Sequence, residues 1–191
     1  MEYAKFIVSG QDKKVLAGIK NSLTSSGHIF VGYSSDPSNV LRHVRSLQPD
    51  LLIIEVQNSF KELKPTIEMI DEELLAVCIL LLESRNDDIF DFLRRTRVAT
   101  YISKPVFEEV LLQITDLSLG NFRRVKEYEE RLKQLNNTLE SRKIIEKAKW
   151  ILVEQDGYSE SDAYEIIKKK SRDNRIAMRD IAEAIILTRG K

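Results

Sequence analysis

At 191 residues the chain has room for one large domain or two small ones. An apolar fraction of 42%, with few glycines and prolines, excludes long low-complexity or disordered stretches. Charge balances at 30 basic and 30 acidic residues, yet residues 1–120 hold 13 basic against 17 acidic while 142–191 hold 12 against 9. Only the C-terminal piece therefore leans toward an anionic partner. No apolar run reaches the roughly 18 residues that span a bilayer, and the N-terminus has no charged segment leading into an apolar one, so a cytoplasmic protein without membrane contact is expected. Cys78, between Val77 and Ile79, reads as a small core residue, and a lone cysteine excludes a disulfide within one chain.

The first 120 residues alternate strand-like and helix-like runs. Lys5-Phe6-Ile7-Val8 opens a strand and 13–25 follows as a helix. Further strands are predicted at Ile29-Phe30-Val31, 50–56, 75–82 and Ala99-Thr100-Tyr101-Ile102. The third and fourth runs are continuously apolar, as central parallel strands covered on both faces require. Five such units predict a flavodoxin-like, doubly wound sheet of five parallel strands with its site at the C-terminal strand ends. After Phe107 no strand signal recurs, and 120–154 reads as one long helix with a single glycine at its start and no proline. Val125, Tyr128, Leu132, Leu135 and Leu139 recur at spacings of three and four, with Arg142 at the next such position, a seam that pairs two chains or else packs on the chain's own domains. Asp156-Gly157 predicts a helix stop. A second helix capped by Ser159 and Asp162 follows, with Ala163, Ile166 and Ile167 inward. A third carries Ile176, Ile181, Ala182, Ile185 and Ile186, separated from the second by the polar stretch 168–175. The predicted division is an α/β domain over 1–120, a coiled-coil helix over 121–141 and a C-terminal three-helix bundle over 142–191.

Gln48-Pro49-Asp50-Leu51-Leu52-Ile53-Ile54-Glu55, together with Lys104-Pro105 behind Tyr101-Ile102-Ser103, make residues 4–119 resemble the receiver domain of two-component response regulators. The resemblance implies a strand-end phosphorylation site: two acids holding Mg²⁺, a nucleophilic aspartate, a hydroxyl and a lysine, since hard Mg²⁺ takes carboxylate oxygens that offset phosphoryl charge. In the gapless alignment Gly10 and Gln11 stand at the acid pair, Glu55 at the phosphoacceptor and Leu82 at the hydroxyl, and Lys104 alone is retained. A one-position slip would bring in Asp12, and Ser84 could supply the hydroxyl. The expected result is a degenerate receiver, binding no metal or cofactor, in which Glu55 faces Lys104 as a one-charge partial mimic of a phosphoryl group. The same pair also reads as an ordinary rim salt bridge.

Leu139-Glu140-Ser141-Arg142-Lys143-Ile144-Ile145-Glu146-Lys147-Ala148-Lys149, then Asp156-Gly157-Tyr158-Ser159-Glu160-Ser161-Asp162-Ala163-Tyr164, then Arg175-Ile176-Ala177-Met178 and Ile181-Ala182 make 135–191 resemble the ANTAR domain. That family is an RNA-binding module of bacterial transcription antitermination regulators. Trp150 stands where the family often has a small residue, and Ser171-Arg172 where Ala-Met is common. Among apolar Ala148, Ile151 and Leu152, Trp150 is expected to fill the bundle core rather than stack on a base. The resemblance implies a dimer acting on tandem hairpins in nascent transcripts, with a sensor or regulatory protein as a further partner. Lys147, Lys149, Lys170, Arg172, Arg175 and Arg179 are the candidate phosphate contacts and Tyr164 a candidate base-stacking ring. Two rivals remain: a protein-binding adaptor, and a DNA-binding regulator, against which the long connection 168–175 is the argument. Catalysis is not expected, because His28 and His43 lie far from any carboxylate or thiol constellation and no glycine-rich phosphate loop is present.

Overall fold

The computed structural model describes residues 3–34, 37–56, 60–84 and 86–189. Its two most apolar runs form β3 (Leu51–Val56), interrupted only by Glu55, and β4 (Val77–Leu82), and every residue of both is buried. Around them lie β1 (Lys5–Ser9), β2 (Ile29–Ser34) and β5 (Ala99–Ser103), all parallel, in the order β2-β1-β3-β4-β5. Helices α1 (Lys13–Ser25), α2 (Pro37–Leu47), α3 (Phe60–Glu72) and α4 (Asp87–Leu93) connect them. The fourth strand starts two residues later than predicted because Leu74 and Leu75 close α3 instead. Leu74 is left-handed at φ 49°, its amide donates to Asp71 O, and the Leu75 amide donates to Ile70 O. Gly27 ends α1 in the same way. Cys78 is fully buried, and that burial, with the Asp71 carboxylate, pushes its thiol up to about 12, as an inert core residue requires. His28 lies just ahead of β2 with Nδ1 accepting from the Ala4 amide, whereas His43 sits inside α2.

The long helix α5 runs Glu108–Asp156, twelve residues further toward the N-terminus than predicted. Gly120 adds no break because it lies inside a helix whose ladder continues on both sides. Two compact units divide at Glu127 and Tyr128. In the first, Leu111, Thr115, Leu119 and Phe122 of α5 are buried, the apolar ones in the core shared with the sheet. In the second, α5 packs with α6 (Glu160–Asn174) and α7 (Met178–Arg189). Ala148, Ala163 and Ala182 have no exposed surface and sit among Leu152, Ile167, Ile181 and Ile185, so one small side chain per helix lets the three approach closely. Gly157, at φ 73°, ends α5 as predicted. Ser159 caps α6 by accepting from the Asp162 amide, while its hydroxyl donates to the Asp162 carboxylate.

Two expectations for this unit are corrected. Residues 168–174 belong to α6, so the connection to α7 is only 175–177, and Ile176 lies in it, half-exposed. The polarity of 168–174 reflects a solvated helix end, not a loop. Trp150 is 57% exposed, because two residues past Ala148 and two before Leu152 it points to the opposite side of α5 from the core.

Candidate functional site

The order β2-β1-β3 places a crossover point between β1 and β3, where open parallel sheets bind ligands at their carboxyl ends. Glu55 occupies it. Its side chain is 1% exposed, and Oε2 accepts from the amides of Gln11 (2.8 Å) and Asp12 (2.9 Å) while Oε1 accepts from the Lys104 ammonium. Lys104, 15% exposed, also donates to Glu83 Oε1 at 3.3 Å, a carboxylate that is itself 70% exposed. Lys104 is carried there by the end of β5, its own amide donating to Leu82 O at 2.8 Å, and its bond to Pro105 is cis. Burial pushes the Glu55 carboxyl up, but the Asp12 amide, the Lys104 ammonium and the Gln11 amide outweigh it and hold it below its ordinary value. Burial likewise pulls Lys104 down, and its bonds to Glu55 and Glu83 reverse that into a net rise.

Gly10 makes the arrangement possible. A Cβ there would lie 2.6 Å from both Glu55 Cβ and Glu55 Oε2. The long Glu55 side chain fills the space that a side chain at the first acid position would need. Asp12 does not replace a metal-binding acid: its carboxylate caps α1, accepting from Lys14 N (2.9 Å) and Val15 N (3.2 Å). Leu82 is buried, Ser84 is exposed, and Tyr101, 38% exposed, stands edge-on to Phe90 with ring centres 4.7 Å apart. The Mg²⁺ that a receiver uses does not fit these residues. The central carboxylate already serves an ammonium and two amides, and no group of three metal-ligating side chains occurs among the described residues. The coupling of Gly10 to Glu55 and the second carboxylate on Lys104 were missed in the sequence. A glycine beside a glutamate substitution was the available signal for the first, and exposed Glu83 offered none for the second.

In the C-terminal unit, Lys147, Lys170, Arg172 and Arg175 are exposed, as is Tyr164 at 40%. Arg175 is the left-handed residue closing α6, at φ 57°, with its amide donating to Arg172 O and the Ile176 amide to Ser171 O. Lys170 and Arg172, two residues apart on one helix, point to different sides of α6. Lys149 is elsewhere altogether. It is buried, with Nζ 2.9 Å from Glu160 and 3.0 Å from both oxygens of Glu146, and these carboxylates, Glu160 first, raise its pKa. Its charge ties α5 to the start of α6 and is not presented to an incoming phosphate. Arg179 is half-buried and bonded to Glu183 at 2.8 Å.

Residues 133–186 match the ANTAR domain family. The receiver-like unit has its own matches among solved structures. The signal receiver domain of a modulated diguanylate cyclase from Desulfovibrio desulfuricans G20 superposes with a TM-score of 0.56 at 15% identity, over 64% of this chain and 98% of that one. The receiver domain of NarL from Mycobacterium tuberculosis gives 0.52 at 16%, over 63% and 99%. The ANTAR match therefore lies behind a unit with the receiver fold. Over 97% of its length it is also 24% identical to the transcriptional regulatory protein PdtaR of Mycobacterium tuberculosis, covering 91% of that protein. The chain is thus similar, along nearly its whole length, to a transcriptional regulatory protein, with the ANTAR match confined to its C-terminal unit.

Between the strand-end site and the ANTAR bundle, the predicted seam on α5 is open to solvent. Tyr128, Leu132, Leu135 and Leu139 are between 52 and 60% exposed, while Val125 is half-buried. No helix is long and apolar enough to cross a membrane among the described residues.

Proposed function

We propose that the chain is an ANTAR response regulator that binds RNA, acting as a dimer on tandem hairpins of nascent transcripts to prevent terminator formation, without needing phosphorylation. The observation that carries the reading is the ANTAR bundle itself, whose exposed cations Lys147, Lys170, Arg172 and Arg175 have no carboxylate partner among the described residues while Lys149 is used internally. Hairpin loops expose unpaired bases, and Tyr164 or an arginine plane can stack on them while the other cations meet phosphates. Phosphate independence is supported by Glu55, whose carboxylate occupies the receiver site with Lys104 already engaged. Dimerisation is supported by the exposed seam Tyr128 to Leu139, and two tandem hairpins would then be held with the avidity of a bivalent ligand. The functional divisions are a receiver-like part over 1–120, a stem over 121–141 and an RNA-binding part over 142–191, working in the cytoplasm.

The three-residue connection 175–177 keeps a second reading in play, since it falls within the turn length of helix-turn-helix DNA binders. Competition between hairpin RNA and duplex DNA of matched length, followed across salt concentration, separates the two. Preference for the hairpin, and loss of about one unit of salt slope for each of Lys147, Arg172 and Arg175 replaced by alanine, supports RNA binding. Preference for duplex DNA overturns it. Incubation with acetyl phosphate and Mg²⁺ followed by intact-mass measurement tests the receiver half: stoichiometric phosphorylation overturns phosphate independence.

A further inference from the structure

On α5, Trp150 stands eighteen residues after Leu132, about five turns of 3.6, and so on the same side of the helix as the exposed stem residues. A strict seven-residue continuation beyond Leu139 would lead through Glu146 to Lys149 and Val153. Those last two positions are unavailable, because Lys149 is buried against Glu160 and Val153 packs on the ANTAR core. An eleven-residue step from Leu139 lands on Trp150 instead, and steps of eleven relax left-handed supercoiling, so the seam can run straight along the exposed side. Between the two lie Arg142 and Glu146, both exposed and of opposite sign. In a parallel, in-register pair each Arg142 lies one layer from the Glu146 of the second chain. That polar step also sets each residue against its own counterpart, and polar seam positions of this kind specify register at a cost in stability.

We propose that Trp150 packs against its counterpart in a second copy of this chain, extending the dimer seam from the stem into the first helix of the ANTAR domain and setting the two bundles side by side. The inference rests on the stem-dimer reading above. At 57% exposure roughly 140 Å² of each indole is available for burial, taking about 250 Å² for a full tryptophan. An aromatic residue of this kind at the end of a leucine seam has the character of an interface anchor.

Trp150 is the chain's single tryptophan, so the wild-type protein reports on the contact without any substitution. Sedimentation of the full chain over a dilution series gives the dimer affinity, while tryptophan emission and iodide quenching are recorded on the same samples. Leu135→Glu supplies a monomeric reference. The expected result is emission that moves to the blue and quenching that falls as dimer forms. Trp150→Ala should raise the dimer dissociation constant about tenfold or more, and Trp150→Phe should restore most of it. Circular dichroism checks that Trp150→Ala stays folded, as Ala148 and Leu152 predict by carrying the core. A dimer whose tryptophan stays as accessible as in the Leu135→Glu monomer overturns this inference and leaves the stem dimer standing. A tryptophan unaffected by dimerisation but quenched by hairpin RNA overturns it in favour of base stacking. A monomer at all concentrations overturns the stem dimer and this inference together.

Discussion

Replacing Glu55 with glutamine isolates what the buried carboxylate does. The amide oxygen can still accept from Gln11 and Asp12, but the new NH₂ group must sit where the carboxylate met Lys104, setting donor against donor. Removing one partner of a buried ion pair costs about 3–5 kcal/mol. Lys104 is 15% exposed and keeps Glu83, so the charge left behind is partly compensated and that part of the loss falls toward ~2 kcal/mol. The two backbone bonds become neutral, each weakening by about 1 kcal/mol or less. The sum is a destabilisation of about 2–4 kcal/mol in the receiver unit. Lys104→Met alone should fall in a similar range, and the double variant should fall short of the sum by about 1–3 kcal/mol, the coupling of the pair. The sole tryptophan lies in the ANTAR domain, so the assay is urea dependence of hydrogen exchange at receiver amides, including those of Gln11 and Asp12. A Glu55→Gln effect under about 0.5 kcal/mol with no coupling to Lys104 would refute the reasoning and return the pair to the energetics of an exposed salt bridge.

The same groups set a pH window. Glu55 is lowered from 4.5, so its contribution is complete above that value and lost as pH falls through the folded value; Lys104 is raised from 10.5, so its contribution is complete below that and lost as pH rises through the folded value. Receiver stability measured by denaturant titration should therefore lose part of its acid limb in Glu55→Gln. Gly10→Ala forces the Glu55 carboxylate aside and should lower receiver stability by about 1–3 kcal/mol, read from the denaturant midpoint at constant m. Ser159→Ala removes the α6 cap and should cost the ANTAR bundle about 1 kcal/mol in tryptophan-monitored unfolding. Arg175→Gly relieves a left-handed arginine and should stabilise the bundle by up to about 1 kcal/mol while weakening hairpin binding, two changes of opposite sense in thermal melting and in RNA titration.

Most of the receiver fold was legible because its signals are one-dimensional. Apolar runs at 51–54 and 77–82 require covering on both faces, and the helix-like pattern over 13–25 coincides with α1. What was hidden depends on direction around a helix or on partners far apart in the chain. Trp150 among Ala148, Ile151 and Leu152 looks internal by composition, yet two residues of helix turn it about 200° from buried Ala148 and Leu152. Lys149 reads as a surface cation until Glu160, eleven residues on, folds back onto it. Polar 168–174 reads as a loop because a solvated helix end and a loop share a composition. At the receiver site the substitutions themselves were visible, whereas their mutual dependence was not, since Gly10 and Glu55 meet only when β1 and β3 pair.

That dependence bears on how far the receiver has moved from a phosphorylation switch. An aspartate at position 55 would be one methylene shorter, drawing its carboxylate back from amides and ammonium that are now placed for a glutamate. It would also find no acid at Gly10 or Gln11 to hold a metal, and Asp12 is committed to the start of α1. An acid at position 10, in turn, collides with Glu55 while Glu55 remains. Each single step back toward a phosphoacceptor site therefore loses existing contacts before any metal can bind, and the ion pair persists as a fixed feature of the strand ends. A carboxylate held in this way keeps Lys104 in one arrangement, and that supports the proposal that control over the C-terminal unit enters through association, with a second copy or with another protein, and not through chemistry at Glu55.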